Sequence, residues 1–166
     1  MKQCARMAVV LVLGHVLLVT GALAGIADSP LPVLVGGKTT YHLYSVPGVI
    51  ENGWTSTFFS CTSTDTATMQ VGVELFGFAG GAAANDPVAT SVTVASGATV
   101  YFGTSHAVGI VINSDLAGGP FGWGSARILA TSKKLACTAF LADKGNDPPT
   151  SMVYLTIIKK TKQKGE

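Results

Sequence analysis

The stretch Ala-Thr-Met-Gln-Val-Gly-Val-Glu-Leu-Phe-Gly-Phe, residues 67–78, decides the fold class of this 166-residue chain. Its side chains alternate with a period of two, which is the pattern of a β-strand that buries one face. One face carries Met69, Val71, Val73 and Leu75, and the other carries Gln70, Gly72, Glu74 and Phe76. The stretch therefore predicts an amphipathic strand in the middle of the chain.

Segments on either side of this strand repeat its β-type composition between turn signals. Pro47-Gly48 predicts the end of an early strand, and Ser96-Gly97 and Ser132-Lys133-Lys134 each predict the turn of a hairpin. Residues 107–113 are rich in Val and Ile and predict a further strand. About eight to ten short strands at this spacing favour an all-β domain over residues 40–160. We expect a single antiparallel β-sandwich of the Ig-like or Greek-key type, with a β-barrel as the alternative.

The chain begins with a predicted secretory signal peptide, residues 1–24. Two basic residues and an apolar run precede Ala22-Leu23-Ala24, which has the form of a cleavage site. Cleavage after Ala27 is a second option, and an uncleaved membrane anchor over residues 7–27 is the alternative to export. After cleavage, residues 25–39 would form an N-terminal segment that leads into the domain.

Export would leave a domain with almost no net charge. The whole chain has eleven basic and nine acidic residues, and the loss of Lys2 and Arg6 leaves nine of each. This balance argues against nucleic acid as a partner, because phosphate binding needs a concentrated basic surface. Lys159 and Lys160 precede a basic polar tail, residues 161–166. A solvated terminus explains this tail, and attraction to an anionic cell surface is the alternative.

Cys61 and Cys137 predict a disulfide. The third cysteine, Cys4, would leave with the signal. Both remaining cysteines lie on predicted strands and share a face with apolar neighbours, Phe59 in one strand and Leu135 in the other, so both should point inward. Outside the cytoplasm such a pair is expected to bond, which would stabilise the domain by about 4 kcal/mol in the chain-entropy model. Two buried free thiols are the alternative.

The glycine-rich loop Gly-Gly-Pro-Phe-Gly-Trp-Gly, residues 118–124, contains the candidate binding residues. Aromatic side chains on such a loop can be exposed and can stack on a sugar ring or a partner surface. Phe121 and Trp123 are therefore the candidate ligand-binding residues. Large aromatics next to glycines commonly fold back to cap the core, and this is the alternative for Trp123. Trp54 is predicted to be a core residue at the start of a strand.

Two further segments contain residue types that are found in catalytic or metal sites. Ser105 and His106 are adjacent, so on a strand they would point to opposite faces and could not act as nucleophile and base. Asp143, Asn146 and Asp147 lie in a polar loop whose oxygens could hold calcium, but turn chemistry alone accounts for these residues. We therefore expect no catalytic residues and no cofactor, and keep calcium at these three residues as a weaker alternative.

Two segments of the chain resemble a known class of domain. They are Val-Thr-Val-Ala-Ser-Gly-Ala-Thr-Val-Tyr-Phe at residues 92–102 and Gly-Ser-Ala-Arg-Ile-Leu-Ala-Thr-Ser at residues 124–132. Together they resemble Ig-like β-sandwich modules of secreted and surface-attached bacterial proteins, in which a small-residue hairpin precedes a Gly-Ser-Ala strand. The resemblance covers less than half of the chain after the signal. It implies a sandwich and an extracellular, non-enzymatic role, and transfers no functional residues.

These observations together predict an exported β domain that binds a cell-surface glycan or protein through its loops. Its expected location is outside the cell, in the periplasm or on the cell envelope, with no membrane span after signal cleavage. A purely structural envelope protein with contacts between copies is the second hypothesis. A hydrolase with a site assembled from scattered residues is the third.

Overall fold

The computed structural model describes residues 25–27, 29–116 and 121–160, so the predicted signal and tail lie outside the described residues. Within these ranges the chain forms ten strands and no helix, which confirms the all-β prediction. No helix long and apolar enough to cross a membrane is found there. In chain order the strands are β1 (Tyr41–Glu51), β2 (Thr55–Ser63), β3 (Met69–Gly77), β4 (Val92–Val94), β5 (Thr99–Gly103), β6 (Ser114–Asp115), β7 (Gly122–Ala130), β8 (Leu135–Asp143), β9 (Met152–Tyr154) and β10 (Ile158–Lys159).

Hydrogen bonds join the ten strands into one sheet that nearly closes into a barrel. The main path runs β4-β3-β7-β1-β2-β5-β6, with β10 added to β1, β8 added to β2 and β9 added to β8. A turn closed by a hydrogen bond from the Ala98 N–H to the Ala95 carbonyl brings β4 back toward β5. These pairings are compatible with the barrel alternative, and they do not show a sandwich of two sheets.

The interior of the sheet is filled by the face that the sequence alternation assigns to the core. Met69, Val71, Val73 and Leu75 of β3 are all buried there. The other long strands add the same kind of side chain, among them Val46, Phe59, Phe102, Ile128 and Ala139. Each fully buried Val, Leu or Phe contributes about 1.5 to 3 kcal/mol of burial free energy, so this cluster is the main source of stability.

The outer face of β3 and β7 is buried as well, whereas the alternation in the sequence predicts a strand with only one buried face. Glu74 and Arg127 lie opposite each other in the register and form an ion pair, with 7% and 1% of their side chains exposed. Arg127 also donates hydrogen bonds to the carbonyls of Ser29 and Pro30, both at 2.9 Å. The Phe76 ring centroid lies 5.2 Å from the guanidinium carbon of Arg127. Arg127 therefore fixes the N-terminal segment over this face.

β2 and β8 are joined by the predicted disulfide. Cys61 and Cys137 are directly opposite each other in neighbouring strands, and their Cα atoms are 4.1 Å apart. On the outer face of the same strands Phe58 stacks on Phe140, with ring centroids 5.5 Å apart. Apolar side chains of residues 107–112 cover these two rings. A disulfide is typical of an oxidising, extracytoplasmic environment.

The Pro47-Gly48 turn signal does not end a strand, contrary to the sequence prediction. β1 continues through Pro47-Gly48 to Glu51, with a register shift against β7 between Pro47 and Val49. Gly48 has a φ of 76°, a conformation that glycine adopts without steric cost. A bulge therefore absorbs the Pro-Gly pair, and the strand bends instead of stopping.

Both predicted hairpins are wrong. The chain does turn at Ser96-Gly97 and at residues 132–134, but the flanking strands do not pair with each other. β4 pairs with β3 and β5 with β2, whereas β7 pairs with β1 and β3 and β8 with β2 and β9. The predicted strand at residues 107–113 is also wrong, since this segment has one isolated bridge and covers the Phe58 and Phe140 rings.

Candidate functional site

Trp123 projects from the sheet into solvent. It is the second residue of β7, and 67% of its surface is exposed. Phe121, one residue before β7, packs against the interior cluster instead. The two candidate residues therefore differ, because Trp123 is available to a ligand whereas Phe121 supports the loop from inside. Residues 118–120 of the same loop lie outside the described part of the chain.

A second exposed aromatic residue, Phe78, lies beside Trp123. The Phe78 backbone N–H donates a 2.9 Å hydrogen bond to the Trp123 carbonyl, and 87% of Phe78 is exposed. Both residues line a surface groove of about 500 Å³, which we call the aromatic groove. Its remaining lining comes from the bend of β1, the end of β3 and the start of β7: Gly48, Val49, Ile50, Gly77, Gly124 and Ser125.

Two glycines set the position of Trp123. Gly122 has a φ of 69°, which side chains with a Cβ rarely adopt. A Cβ at Gly124 would clash with the carbonyl oxygen of Phe76 and with the ring of Phe121. β7 therefore approaches β3 more closely here than a larger residue would permit. The Gly-Trp-Gly sequence thereby places the Trp123 ring at one end of the sheet.

Glu51 ties together the segments around the aromatic groove. One of its carboxylate oxygens accepts a hydrogen bond from the Phe121 N–H at 3.3 Å, and the other lies 3.6 Å from the Lys144 Nζ. The Glu51 backbone is paired with Gly122 on one side and with Ser56 on the other. The backbone around the groove is therefore held in place by the protein itself.

Trp54 is not a core residue, contrary to the sequence prediction. It is 84% exposed in the turn between β1 and β2. The Asn52 side chain accepts hydrogen bonds from the N–H groups of Trp54 and Thr55, at 2.9 and 2.8 Å, and so closes the turn. Because Glu51 pairs with Gly122, this turn lies at the same end of the sheet as the aromatic groove, although Trp54 does not line it.

Ser105 and His106 are directed toward different partners. The Ser105 hydroxyl lies 2.5 Å from the hydroxyl of Ser56. His106 is 81% exposed, and its Nε2 lies 3.2 Å from the Asp115 carboxylate. A nucleophile needs its base within hydrogen-bond reach, so these two residues do not form a nucleophile–base pair.

Hydrogen bonds within the polar loop after β8 occupy the oxygens of Asp143. One oxygen accepts bonds from the N–H and hydroxyl of Ser151 at 2.7 and 3.2 Å, and the other accepts a bond from the Asn146 amide at 2.6 Å. The Ser151 N–H, and then the Asn146 amide, lower the pKa of Asp143 to about 2. Among the described residues no group of three or more His, Cys, Asp or Glu side chains could hold a metal, and Asp147 takes no part in this network. The loop has the geometry of a turn.

Phe78 is not among the binding residues predicted from the sequence, although the sequence contains a signal for it. Phe78 is one step beyond Gly77 in the alternation of β3, on the same side as Glu74 and Phe76. The segments that cover Glu74 and Phe76 do not bury Phe78, which is therefore exposed. An outward apolar residue one step past the end of a strand is the pattern that could have revealed it.

No protein-family model matches the chain, and no curated protein or solved structure matches it.

Proposed function

We propose that the protein is an exported, non-enzymatic module that binds a cell-surface glycan in the aromatic groove. The observation that carries the proposal is that two exposed aromatic residues, Phe78 and Trp123, line one groove. Export is supported by the signal-like N-terminus and by the disulfide between Cys61 and Cys137, since disulfides persist in oxidising compartments.

The aromatic groove has the mixture of groups that a sugar ring needs. Small-ligand sites combine apolar and aromatic walls with a few polar groups, and a volume of about 500 Å³ lies within their usual range. The rings of Phe78 and Trp123 can pack on the C–H face of a sugar. The Ser125 hydroxyl, which has no hydrogen-bond partner within the described residues, can bond to a sugar hydroxyl. Backbone pairing already holds the groove in place, so ligand binding should cost the protein little conformational entropy.

Co-sedimentation with bacterial cell walls and insoluble polysaccharides tests the proposal. The protein is exported from a bacterial host so that the disulfide forms, and is compared with the Trp123→Ala and Phe78→Ala variants. Each ring is expected to contribute about 1 kcal/mol of stacking, so each variant should bind about five- to tenfold more weakly. Both side chains are exposed, so neither substitution should impair folding.

Trp54→Ala is the matched control, because Trp54 is an exposed tryptophan at the same end of the sheet but outside the groove. Its binding should equal that of the unmodified protein. In a Trp54→Phe variant Trp123 is the only tryptophan left of two, so its fluorescence should change when a soluble oligosaccharide from the bound polymer is added. Unchanged binding by Trp123→Ala, or an equal loss in Trp54→Ala, would overturn the proposal. Failure of the unmodified protein to sediment with any polysaccharide would do the same.

A structural role through contacts between copies is the second candidate, and one edge strand favours it. Met152, Val153 and Tyr154 of β9 are 50%, 59% and 73% exposed, and within the described chain β9 pairs with β8 alone. The free edge of an exposed strand can accept a strand from another molecule. Sedimentation velocity at rising concentration separates the candidates: association that is lost in Val153→Lys supports a structural role, and a monomer at every concentration removes it.

A further inference from the structure

A second cavity, of about 740 Å³, lies at the opposite end of β1 from the aromatic groove. The start of β1, Tyr41–Tyr44, lines this cavity, whereas the groove uses residues 48–50. We call the cavity the basic pocket. Other parts of its wall come from the N-terminal segment, β7, the turn after β7 and the C-terminal end: Ser29, Leu31, Arg127, Lys133, Lys159 and Lys160.

Three lysines converge on the basic pocket from two distant segments. The Nζ of Lys133 lies 4.6 Å from the centroid of the Tyr41 ring, within cation–π range. Lys159 and Lys160 approach from the C-terminal end, where the Lys160 N–H donates a 2.8 Å hydrogen bond to the Leu43 carbonyl. Among the described residues, the pocket wall contains no acidic side chain and none of these lysines has a carboxylate partner. All three lysines thus line the pocket, and no carboxylate of the described residues neutralises them.

The pocket also has an apolar wall, and Arg127 builds part of it. Arg127 is neutralised by Glu74, and its guanidinium binds the carbonyls of Ser29 and Pro30. These bonds place the next residue, Leu31, at the pocket, where 41% of its surface is exposed. Cationic and apolar groups therefore face the same space, which suits a ligand with a charged end and an apolar body.

His42 lies in the pocket wall and is affected both by burial and by the charges of Lys160 and Arg127. Its Nε2 lies 3.1 Å from the Tyr44 carbonyl and 3.0 Å from the Ser45 hydroxyl. Burial, and after it the charges of Lys160 and Arg127, lower the pKa of His42 to about 4. The ring is therefore neutral near pH 7 and adds no charge of its own, while the cations around it disfavour any further positive charge at this position.

We infer that the basic pocket binds an amphipathic anion, a phosphate or carboxylate group attached to an apolar chain or ring. The three lysines hold the anionic group, and the apolar part lies along Leu31 and Tyr41. The same chemistry occurs in a free phosphorylated or carboxylated small molecule and in the headgroup of an anionic lipid. The site is separate from the aromatic groove and does not depend on the proposed function.

Calorimetric titration with octyl phosphate, below the concentration at which it forms micelles, tests the inference. Octyl phosphate should bind saturably at one site, and uncharged 1-octanol, which has the same chain and no sugar ring, should not. In the Lys133→Gln/Lys159→Gln/Lys160→Gln variant the affinity should fall about tenfold, as expected for three partly exposed charge pairs. Leu31→Ser should weaken octyl phosphate binding without changing the weaker binding of inorganic phosphate. Lys38→Gln, an exposed lysine outside the pocket, is the matched control and should bind like the unmodified protein.

Vesicles separate the two sources of the ligand. Binding to phosphatidylglycerol vesicles but not to phosphatidylcholine vesicles, lost in the triple variant, supports a lipid headgroup. Binding of octyl phosphate without vesicle binding supports a free small molecule. Equal affinity for 1-octanol and octyl phosphate, or unchanged octyl phosphate affinity in a triple variant whose circular dichroism is native, would overturn the inference.

Discussion

Two parts of the sheet are held together by different cross-strand links. Between β3 and β7 the link is the ion pair of Glu74 and Arg127, buried under the N-terminal segment. Between β2 and β8 the link is the disulfide of Cys61 and Cys137. In both places the linked side chains lie directly opposite each other in the register. One link is electrostatic and the other covalent, although the strand geometry around them is similar.

The covalent link and the electrostatic link depend on different conditions. A disulfide acts mainly by restricting the unfolded chain, so its contribution depends on the redox conditions. A buried ion pair contributes little net stability, but loss of one partner leaves an uncompensated charge in the interior. Only the ion pair also holds a wall of a candidate site, because Arg127 fixes the segment that brings Leu31 to the basic pocket. The basic pocket should therefore depend on the ion pair and the aromatic groove should not.

Removal of Arg127 should have the largest effect. In Arg127→Ala the Glu74 carboxylate stays buried without its partner, and the carbonyls of Ser29 and Pro30 lose their donor. The free energy of unfolding should fall by about 5 kcal/mol, measured by urea unfolding at pH 7. Octyl phosphate binding should be lost as well, while polysaccharide binding should persist in any variant that remains folded.

The double variant Glu74→Leu/Arg127→Met keeps this prediction testable if the single variant does not fold. It replaces both charges by apolar groups of similar size, so its stability should lie within about 2 kcal/mol of the original. A loss in the double variant as large as in the single one would show that packing, and not the unpaired charge, causes the effect.

Removal of the disulfide should have the second largest effect. The bond joins residues 76 positions apart, and in the chain-entropy model the loss of such a crosslink lowers the free energy of unfolding by about 4 kcal/mol. Urea unfolding of Cys61→Ala/Cys137→Ala measures this loss. Reductant should destabilise the unmodified protein and leave the double variant unchanged. If the double variant is as stable as the oxidised protein, the disulfide does not stabilise the fold.

Local features of the fold could be predicted from the sequence. The alternation in residues 67–78 correctly assigns the buried face of β3, because a period of two is a property of a single strand. The disulfide follows from the same reasoning, since Cys61 and Cys137 each share a face with apolar neighbours. Both inferences need the orientation of side chains along one strand, and neither needs the order of strands in the sheet.

Long-range pairing could not be predicted in this way. A turn at Ser96-Gly97 shows that the chain reverses, but not that β4 and β5 then pair with different strands. For the same reason the sequence does not show that Phe78 and Trp123 meet, because they become neighbours only through the pairing of β3 with β7. The candidate loop could therefore be recognised, whereas its second aromatic residue and the basic pocket could not.

Acidification should have the smallest effect, and it should act first at His42 on β1 and then, at lower pH, at Asp65 in the turn after β2. His42 at the basic pocket has a pKa of about 4, below its usual 6.5, chiefly because of burial. Between these values the unfolded chain binds the proton and the folded protein does not, so stability falls as the pH drops from 6.5 to 4. Asp65, in the turn after β2, has a pKa of about 2 instead of 3.8, first because Ser132 donates a hydrogen bond to it. Its contribution is therefore lost only between pH 3.8 and 2.

Urea midpoints measured from pH 7 to pH 2 test this order. His42→Gln should flatten the upper part of the profile and leave the part below pH 3.8 unchanged, while Asp65→Asn should do the reverse. An identical profile for His42→Gln and the unmodified protein would show that His42 accepts a proton in the folded state as easily as in the unfolded chain.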